Sequence, residues 1–198
     1  KIDLPVTLGI QMVLLPELKS EIIPFAQLGI DLGVDYAVIK HCSDDEQGTL
    51  GIDYSKYASM HDLIHQAEAM STPTTKIIAK WNKILEEGKP SYSRVFGTQF
   101  LLQISGSGLV APSGMFFNAR YSKFHLGNFT EERFIGIFKS ERYWRAQNYL
   151  ASPAFDAKTM CGTLPITHYA NIALDRHAKG IEKIKPATGE PPLHRNFV

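Results

Sequence analysis

Val6-Thr-Leu-Gly-Ile-Gln-Met-Val-Leu-Leu15 is a nearly continuous run of β-prone residues, and it decides the fold. Such a run is typical of a strand buried on both faces of a parallel sheet. A helical pattern follows to about Leu32, with Ser20 predicted as its N-cap and Gly33 placed to end it. Residues 36–40 then predict a second strand, so this segment predicts a βαβ unit with a right-handed crossover.

The remaining chain predicts further helices and one hairpin. A helix is expected over residues 59–69 and a strand over 76–81. Ser105-Gly-Ser-Gly108 lies between two β-prone runs, which predicts a tight antiparallel hairpin. Two more helices are expected, one capped by Thr130 and one over residues 168–177.

Composition limits the classes of function. The chain has 198 residues, of which 44% are hydrophobic, enough for a packed core. Lys and Arg total 21 and Asp and Glu total 20, so the net charge of +1 gives no basis for binding nucleic acid. No window reaches the roughly 18 apolar residues that a membrane span requires. With only two cysteines, Cys42 and Cys161, we expect a cytoplasmic protein that binds neither nucleic acid nor membrane.

Several short motifs follow one another in the second half of the chain. Gly97-Thr-Gln-Phe100 precedes Gly106-Ser-Gly108-Leu-Val-Ala-Pro112-Ser113, and Leu126-Gly-Asn128 precedes Thr130-Glu-Glu-Arg-Phe134. In this order they resemble the SPASM domain of radical S-adenosylmethionine (SAM) enzymes. That family has cysteines at the positions that are occupied here by Gly97, Ser113, Ser152, Phe155, Cys161 and Pro165.

The first part of the chain also looks like the last two βα units of that family's partial (β/α)6 barrel. The resemblance implies an α/β fold in which the C-terminal βα units of a partial (β/α)6 barrel are followed by a SPASM-like α+β domain. It places the barrel fragment at residues 1–75, the SPASM-like domain at 76–185 and an irregular tail at 186–198.

Radical chemistry of an oxidoreductase type on a peptide or protein is the function that the resemblance implies. The parent family uses SAM and [4Fe-4S] clusters as cofactors. This chain lacks the Cys-x3-Cys-x2-Cys motif that holds the catalytic cluster, so by itself we expect it to be inactive and to bind no cofactor. Its expected partners are a missing N-terminal barrel half or a second copy, and a peptide or protein substrate. The alternative is a non-catalytic, SPASM-derived module that binds a peptide or protein.

Candidate binding residues lie where the predicted strands end, because barrel enzymes bind ligands at the carboxyl ends of their strands. Gln11, near the end of the first strand, and Lys40 and His41, at the end of the second, are candidates for contacts to SAM or substrate. Lys40 can equally be a solvated cap, and an ordinary barrel enzyme would use Lys40 and His41 as acid and base. Cys161 is either a vestigial ligand of an auxiliary cluster or a small buried thiol.

Other polar groups have simpler interpretations. The acidic run at 44–46 is expected to be a solvated loop rather than a cation site. His61 and His65 have the spacing of a helical metal chelate, but without a third ligand they are expected to be surface residues. Arg142-Tyr-Trp-Arg145 predicts helix packing rather than stacking on bases, and Cys42 is expected to pack or to contact substrate.

Overall fold

Two separate three-stranded sheets organise the chain. The structure, a computed structural model, describes residues 6–45, 47–86, 90–160, 166–186 and 188–189. The described residues cluster into two compact units, one mainly of 6–44 and 48–86 and the other mainly of residues from 90 to 186. The fold is mixed α/β, and neither sheet closes into a barrel within the described residues. No helix among them is long and apolar enough to cross a membrane.

The first sheet is parallel, with strand order β1-β2-β3. β1 is Gly9–Leu14, β2 is Tyr36–His41 and β3 is Lys76–Ala79. β1 and β2 pair in a register that places Gly9 beside Tyr36. The βαβ unit predicted from the sequence is confirmed, and a second one follows it directly.

Helices α1 (Ile22–Leu32) and α2 (His61–Ala69) join these strands and pack on the same face of the sheet. The core between helices and sheet contains Leu14, Ile22, Ala26, Ala37, Ile39, Ile64, Ala67, Ile77 and Ala79. Because successive strand residues point to opposite faces, Gln11 and Lys40 lie on the other face, whereas His41 shares the face that the helices cover.

The two ends of α1 differ in how well the sequence predicts them. Gly33 ends the helix in the left-handed conformation, with φ 62°, as predicted. Ser20 is not the N-cap: a 3-10 segment, Pro16–Glu21, precedes the helix, and Glu21 occupies the cap without a side-chain bond. The Ser20 hydroxyl instead donates to the Glu21 carboxylate at 3.3 Å, which removes it from the backbone.

The rest of the first unit departs from the expected boundaries by a few residues. A 3-10 segment, Tyr54–Met60, precedes α2. β3 ends at Ala79 rather than reaching residue 81, because the chain turns at Lys80 (φ −79°, ψ 65°) into a short helix, α3 (Trp81–Leu85). Since β3 pairs with β2, the first unit includes it, although the sequence placed residue 76 at the start of the second domain.

The second unit holds an antiparallel sheet of β4 (Gln103–Ile104), β5 (Leu109–Ala111) and β6 (Gly127–Asn128). β4 and β5 form the predicted hairpin. Gly108 closes it with φ 83°, a conformation that glycine adopts without strain, and its N–H donates to the Ser105 carbonyl at 2.9 Å.

Helices and aromatic side chains form the remainder of the second unit. The helices are α4 (Phe134–Lys139), α5 (Glu141–Leu150), α6 (Ala157–Met160) and α7 (His168–Ala178). Thr130 does not cap α4, because its hydroxyl and N–H both donate to the Asn128 side chain and the helix starts four residues later. The largest buried rings of the core belong to Tyr92, Phe116, Phe124, Tyr143 and Phe155.

Candidate functional site

Three lysines meet at the carboxyl edge of the parallel sheet. Lys40 is the fifth residue of β2, Lys80 directly follows β3, and Lys83 lies on α3. The Lys80 N–H donates to the Ile39 carbonyl at 2.8 Å, which continues the strand pairing and places Lys40 beside Lys80. The Lys83 N–H donates to the Lys80 carbonyl at 2.9 Å, so the start of α3 brings the third amine to the same edge.

These amines repel one another in a partly buried place. Burial, with repulsion from Lys40 and Lys80, lowers the pKa of Lys83 to about 8. Burial also lowers the pKa of Lys40, an effect that Cys42 opposes, and burial and the charge of Lys40 lower the pKa of Lys80. A bound anion would relieve this repulsion, so the chemistry that fits the edge is recognition of a carboxylate or phosphate group.

His41 lies next to this cluster but on the helix-covered face, with 1% of its surface exposed. Its ring contacts Tyr54 and Tyr57, with centroid distances of 5.5 and 5.9 Å. The 3.0 Å contact from Nδ1 to the Cys42 carbonyl places the proton on Nδ1, since a carbonyl only accepts. Nε2 then carries the lone pair, and it has no hydrogen-bond partner among the described residues.

Burial lowers the pKa of His41, and the backbone hydrogen bonds that favour its charged form do not offset this. Lys83 and Lys40 lower the same pKa further. His41 is therefore held neutral and offers a buried lone pair, which is the state that a general base or a hydrogen-bond acceptor requires.

Tyr57 fixes the strand ends around this site. Its hydroxyl donates to the Leu14 carbonyl at 2.5 Å and accepts from the Cys42 N–H at 3.2 Å, joining the ends of β1 and β2. Burial is the main reason that the pKa of Tyr57 rises to about 12. Tyr57 is therefore a positioning residue that stays protonated, and it keeps His41 and Cys42 in place.

The acidic loop after β2 is anchored rather than solvated at its first residue. Asp44 is buried, and its carboxylate accepts the N–H groups of Leu50 and Ile52 at 3.0 and 3.4 Å. Tyr54 accepts the Asp44 N–H at 2.9 Å. The expectation of a solvated acidic run is therefore wrong for Asp44, while Glu46 lies outside the described residues.

Gln11 and Cys42 are weaker candidates for a binding or catalytic role than the three lysines. Gln11 is the third residue of β1, beside Val38, so it lies in the middle of the strand rather than at its end. Its side-chain oxygen is buried without a hydrogen-bond partner among the described residues. Burial, followed by the charge of Asp44, raises the pKa of Cys42, so its thiol is a poor nucleophile.

The positions at which the SPASM family has cysteines, here called the cysteine frame, carry other side chains in the described residues. Gly97 is tightly packed: an added Cβ would lie 2.8 Å from the Thr167 Cβ, so a cysteine does not fit there without movement. Phe155 belongs to the aromatic core and contacts the rings of Phe116 and Phe124. Cys161 lies outside the described residues, in which no group of three His, Cys, Asp or Glu side chains could hold a metal ion.

The histidine pair on α2 packs against a ring. The His65 ring stacks on Trp81 with a centroid distance of 4.2 Å, and His61 meets the edge of the same indole at 5.2 Å. His65 Nδ1 also lies 3.4 Å from a Glu68 carboxylate oxygen. Both histidines therefore help to hold Trp81 in place next to Lys80, at the carboxyl edge of the parallel sheet.

Lys80 and Lys83 are the site residues that sequence reasoning missed. The signal was their three-residue spacing directly after a β-prone run, which places two amines on one side of a helical turn.

Searches against protein-family models, curated proteins and solved structures found no match to this chain.

Proposed function

We propose that this chain is the C-terminal part of a radical SAM iron-sulfur enzyme that modifies a peptide or protein. In this proposal the first unit is a segment of barrel wall, and the lysines at its carboxyl edge bind an anionic group of SAM or of the substrate. The residues that start the radical belong to the missing barrel half, so the chain alone is inactive. Oxygen-sensitive clusters fit the expected cytoplasmic location.

The observation that carries the proposal is the winding of the first sheet. Three parallel strands follow in order with both crossover helices on one face, while Gln11 and Lys40 lie on the other. One half of a doubly wound sheet also has three parallel strands in sequential order. In the complete doubly wound sheet, however, helices cover both faces and the strands are apolar on both sides. Here the opposite face is mixed, with Gln11 and Lys40 beside Tyr36 and Val38, and the lysine at the carboxyl end of β2 lies where barrel enzymes bind their ligands.

The edge strand supports a partner. β1 pairs with β2 alone among the described strands, and Val13 near its end is 46% exposed. An unpaired parallel edge with apolar side chains is a template for another strand. We propose that a missing N-terminal barrel half, or failing that a second copy, pairs there.

The protein from the complete reading frame tests this proposal. We expect a Cys-x3-Cys-x2-Cys motif upstream, a [4Fe-4S] cluster after anaerobic reconstitution, and 5′-deoxyadenosine when SAM and dithionite are added. A frame without that motif, or a reconstituted cluster that does not cleave SAM, would overturn the radical proposal.

Lysine variants of the complete protein test the role of the edge. Lys83→Gln should weaken SAM or substrate binding about tenfold, since a charged hydrogen bond contributes about that much. Lys76→Gln is the matched control, because Lys76 is an exposed lysine at the amino end of the same sheet. Equal binding by the two variants would remove the lysine edge from the proposal.

The chain by itself should hold no [4Fe-4S] cluster. Such clusters are held by four thiolates as a rule, and the sequence contains two cysteines. Anaerobic incubation with iron and sulfide, followed by desalting, should leave no broad visible absorption. Stoichiometric iron and sulfide on the chain would show that other side chains act as ligands.

A second candidate function is a non-catalytic module that binds a peptide or protein. The packing at two positions of the cysteine frame favours it: Gly97 has no room for a side chain, and Phe155 is part of the core. This candidate predicts that the complete protein binds a peptide but neither holds a cluster nor cleaves SAM.

A further inference from the structure

A cavity of about 530 Å³ lies in the second unit between the 3-10 segment Ala119–Phe124 and helix α5. Its apolar wall presents the partly exposed ring of Tyr149 and only small parts of Phe124 and Ala146, which are almost fully buried, and the rings of Phe124 and Tyr149 lie 6.0 Å apart. This volume is in the range of small-ligand pockets. The wall therefore offers room for one apolar or aromatic side chain.

Cations border this wall. Lys123 Nζ lies 5.0 Å from the centroid of the Phe124 ring and 5.1 Å from that of Tyr149, so the ammonium group is held over both rings. No ion pair joins Lys123 to a carboxylate in the described part of the chain. The ammonium group is therefore available to an anion that enters beside the rings.

Two arginines of α5 also line the cavity. Arg142 lies 3.1 Å from Glu132 and Arg145 lies 2.7 Å from Glu141. Both pairs are solvent-exposed, and exposed pairs contribute little to stability, so a ligand carboxylate can replace these partners. Three cations against two carboxylates leave the border of the cavity positive.

We propose that this cavity binds an acidic peptide segment in which an apolar or aromatic side chain stands next to a carboxylate. The ring wall takes the apolar side chain, and Lys123, with Arg142 or Arg145, takes the carboxylate. A nucleic acid fits less well, because one half-open cavity on a chain of net charge +1 provides no extended basic track. The inference deepens the peptide-directed part of the proposed function, but it needs no radical chemistry.

Fluorescence anisotropy of the chain with a short fluorescein-labelled peptide of alternating Glu and Phe tests the proposal. Replacing either Glu by Gln or Phe by Ser in the peptide should weaken binding at least about tenfold, since each removes one half of the recognition. A double change, Lys123→Gln with Arg145→Gln, should weaken binding by a similar factor. Lys139→Gln is the matched control, because this exposed lysine on α4 does not line the cavity.

Ser122→Trp is a second variant that fills the cavity without changing its charge. Ser122 is exposed and its side chain makes no hydrogen bond within the described part of the chain, so far-ultraviolet circular dichroism should show an intact fold while peptide binding is lost. Equal binding by Ser122→Trp and the parent chain would overturn the proposal. So would displacement of the peptide by oligothymidylate at lower concentration than by unlabelled peptide. Peptide binding by a protein that fails to cleave SAM would support this inference and overturn only the radical proposal.

Discussion

The two units treat their buried polar groups in different ways. In the second unit the amide of Asn171 accepts the N–H groups of Phe96 and Gly97 at 2.9 and 2.6 Å, and Gln147 exchanges hydrogen bonds with Thr98 at 2.8 and 3.1 Å. In the first unit burial and the charges of Lys40 and Lys80 lower the pKa of Lys83, and His41 keeps a ring nitrogen without a partner in the described part of the chain. Paired buried groups hold a fold together, whereas grouped like charges favour a ligand.

Asn171→Ala should have the largest effect on stability of the three substitutions that follow. It leaves the partly buried N–H of Phe96 and the buried N–H of Gly97 without an acceptor, at about 1–3 kcal/mol each, so we expect a loss of about 3 kcal/mol in the free energy of unfolding. Urea unfolding measures it. Asn148→Ala is the control, because Asn148 is exposed on α5. Similar midpoints for both variants would show that the Asn171 network is not structural.

Gly108→Ala should have the next largest effect, and it tests whether the hairpin depends on backbone conformation. At φ 83° an added Cβ would lie 2.5 Å from the Asn128 side-chain oxygen and 2.9 Å from Thr130 Cγ2, so we expect a loss of about 2 kcal/mol. Gly106→Ala is the control in the same turn, where no atom lies within 4 Å of the added Cβ. Thermal unfolding of both variants measures the difference. A Gly108→Ala melt that matches the control would contradict the hairpin geometry.

Local chemistry decides which features the sequence could predict. Gly33 ends α1 as predicted because a left-handed residue at a helix end favours glycine regardless of its surroundings. Ser20 and Thr130 failed as caps because their hydroxyls have nearer partners, the Glu21 carboxylate and the Asn128 side chain. Sequence patterns do not show such competition between partners.

The sequence predicts only part of the candidate site, because strand ends can be read from a local pattern but strand pairing cannot. Lys40 and His41 follow a strongly β-prone run, so their place at a strand end can be read from the pattern. Lys80 was hidden because the predicted strand continued through residue 81, whereas the chain turns after Ala79. Only strand pairing then shows that Lys80 stands beside Lys40.

Lys83→Gln should have the smallest effect on stability, and unlike the other two substitutions it should stabilise the protein. In the folded state the pKa of Lys83 is about 8, against about 10.4 in an unfolded chain. Below pH 8 the folded protein therefore carries an unfavourable charge, and its removal should stabilise by about 1 kcal/mol once solvent screening of this partly exposed group is allowed for. Between pH 8 and about 10.4 the unfolded chain binds more protons than the folded one, so the stability of the parent chain rises with pH. The advantage of Lys83→Gln should thus be largest near pH 7 and vanish towards pH 10, as measured by urea unfolding across that range. Lys76→Gln should show no such trend, because Lys76 lies at the other end of the sheet.

Citrate at pH 7 should stabilise the parent chain more than Lys83→Gln, since a bound carboxylate favours the charged amine. A pH-independent difference, or equal stabilisation of the two by citrate, would mean that the lysines at the sheet edge do not form an anion site.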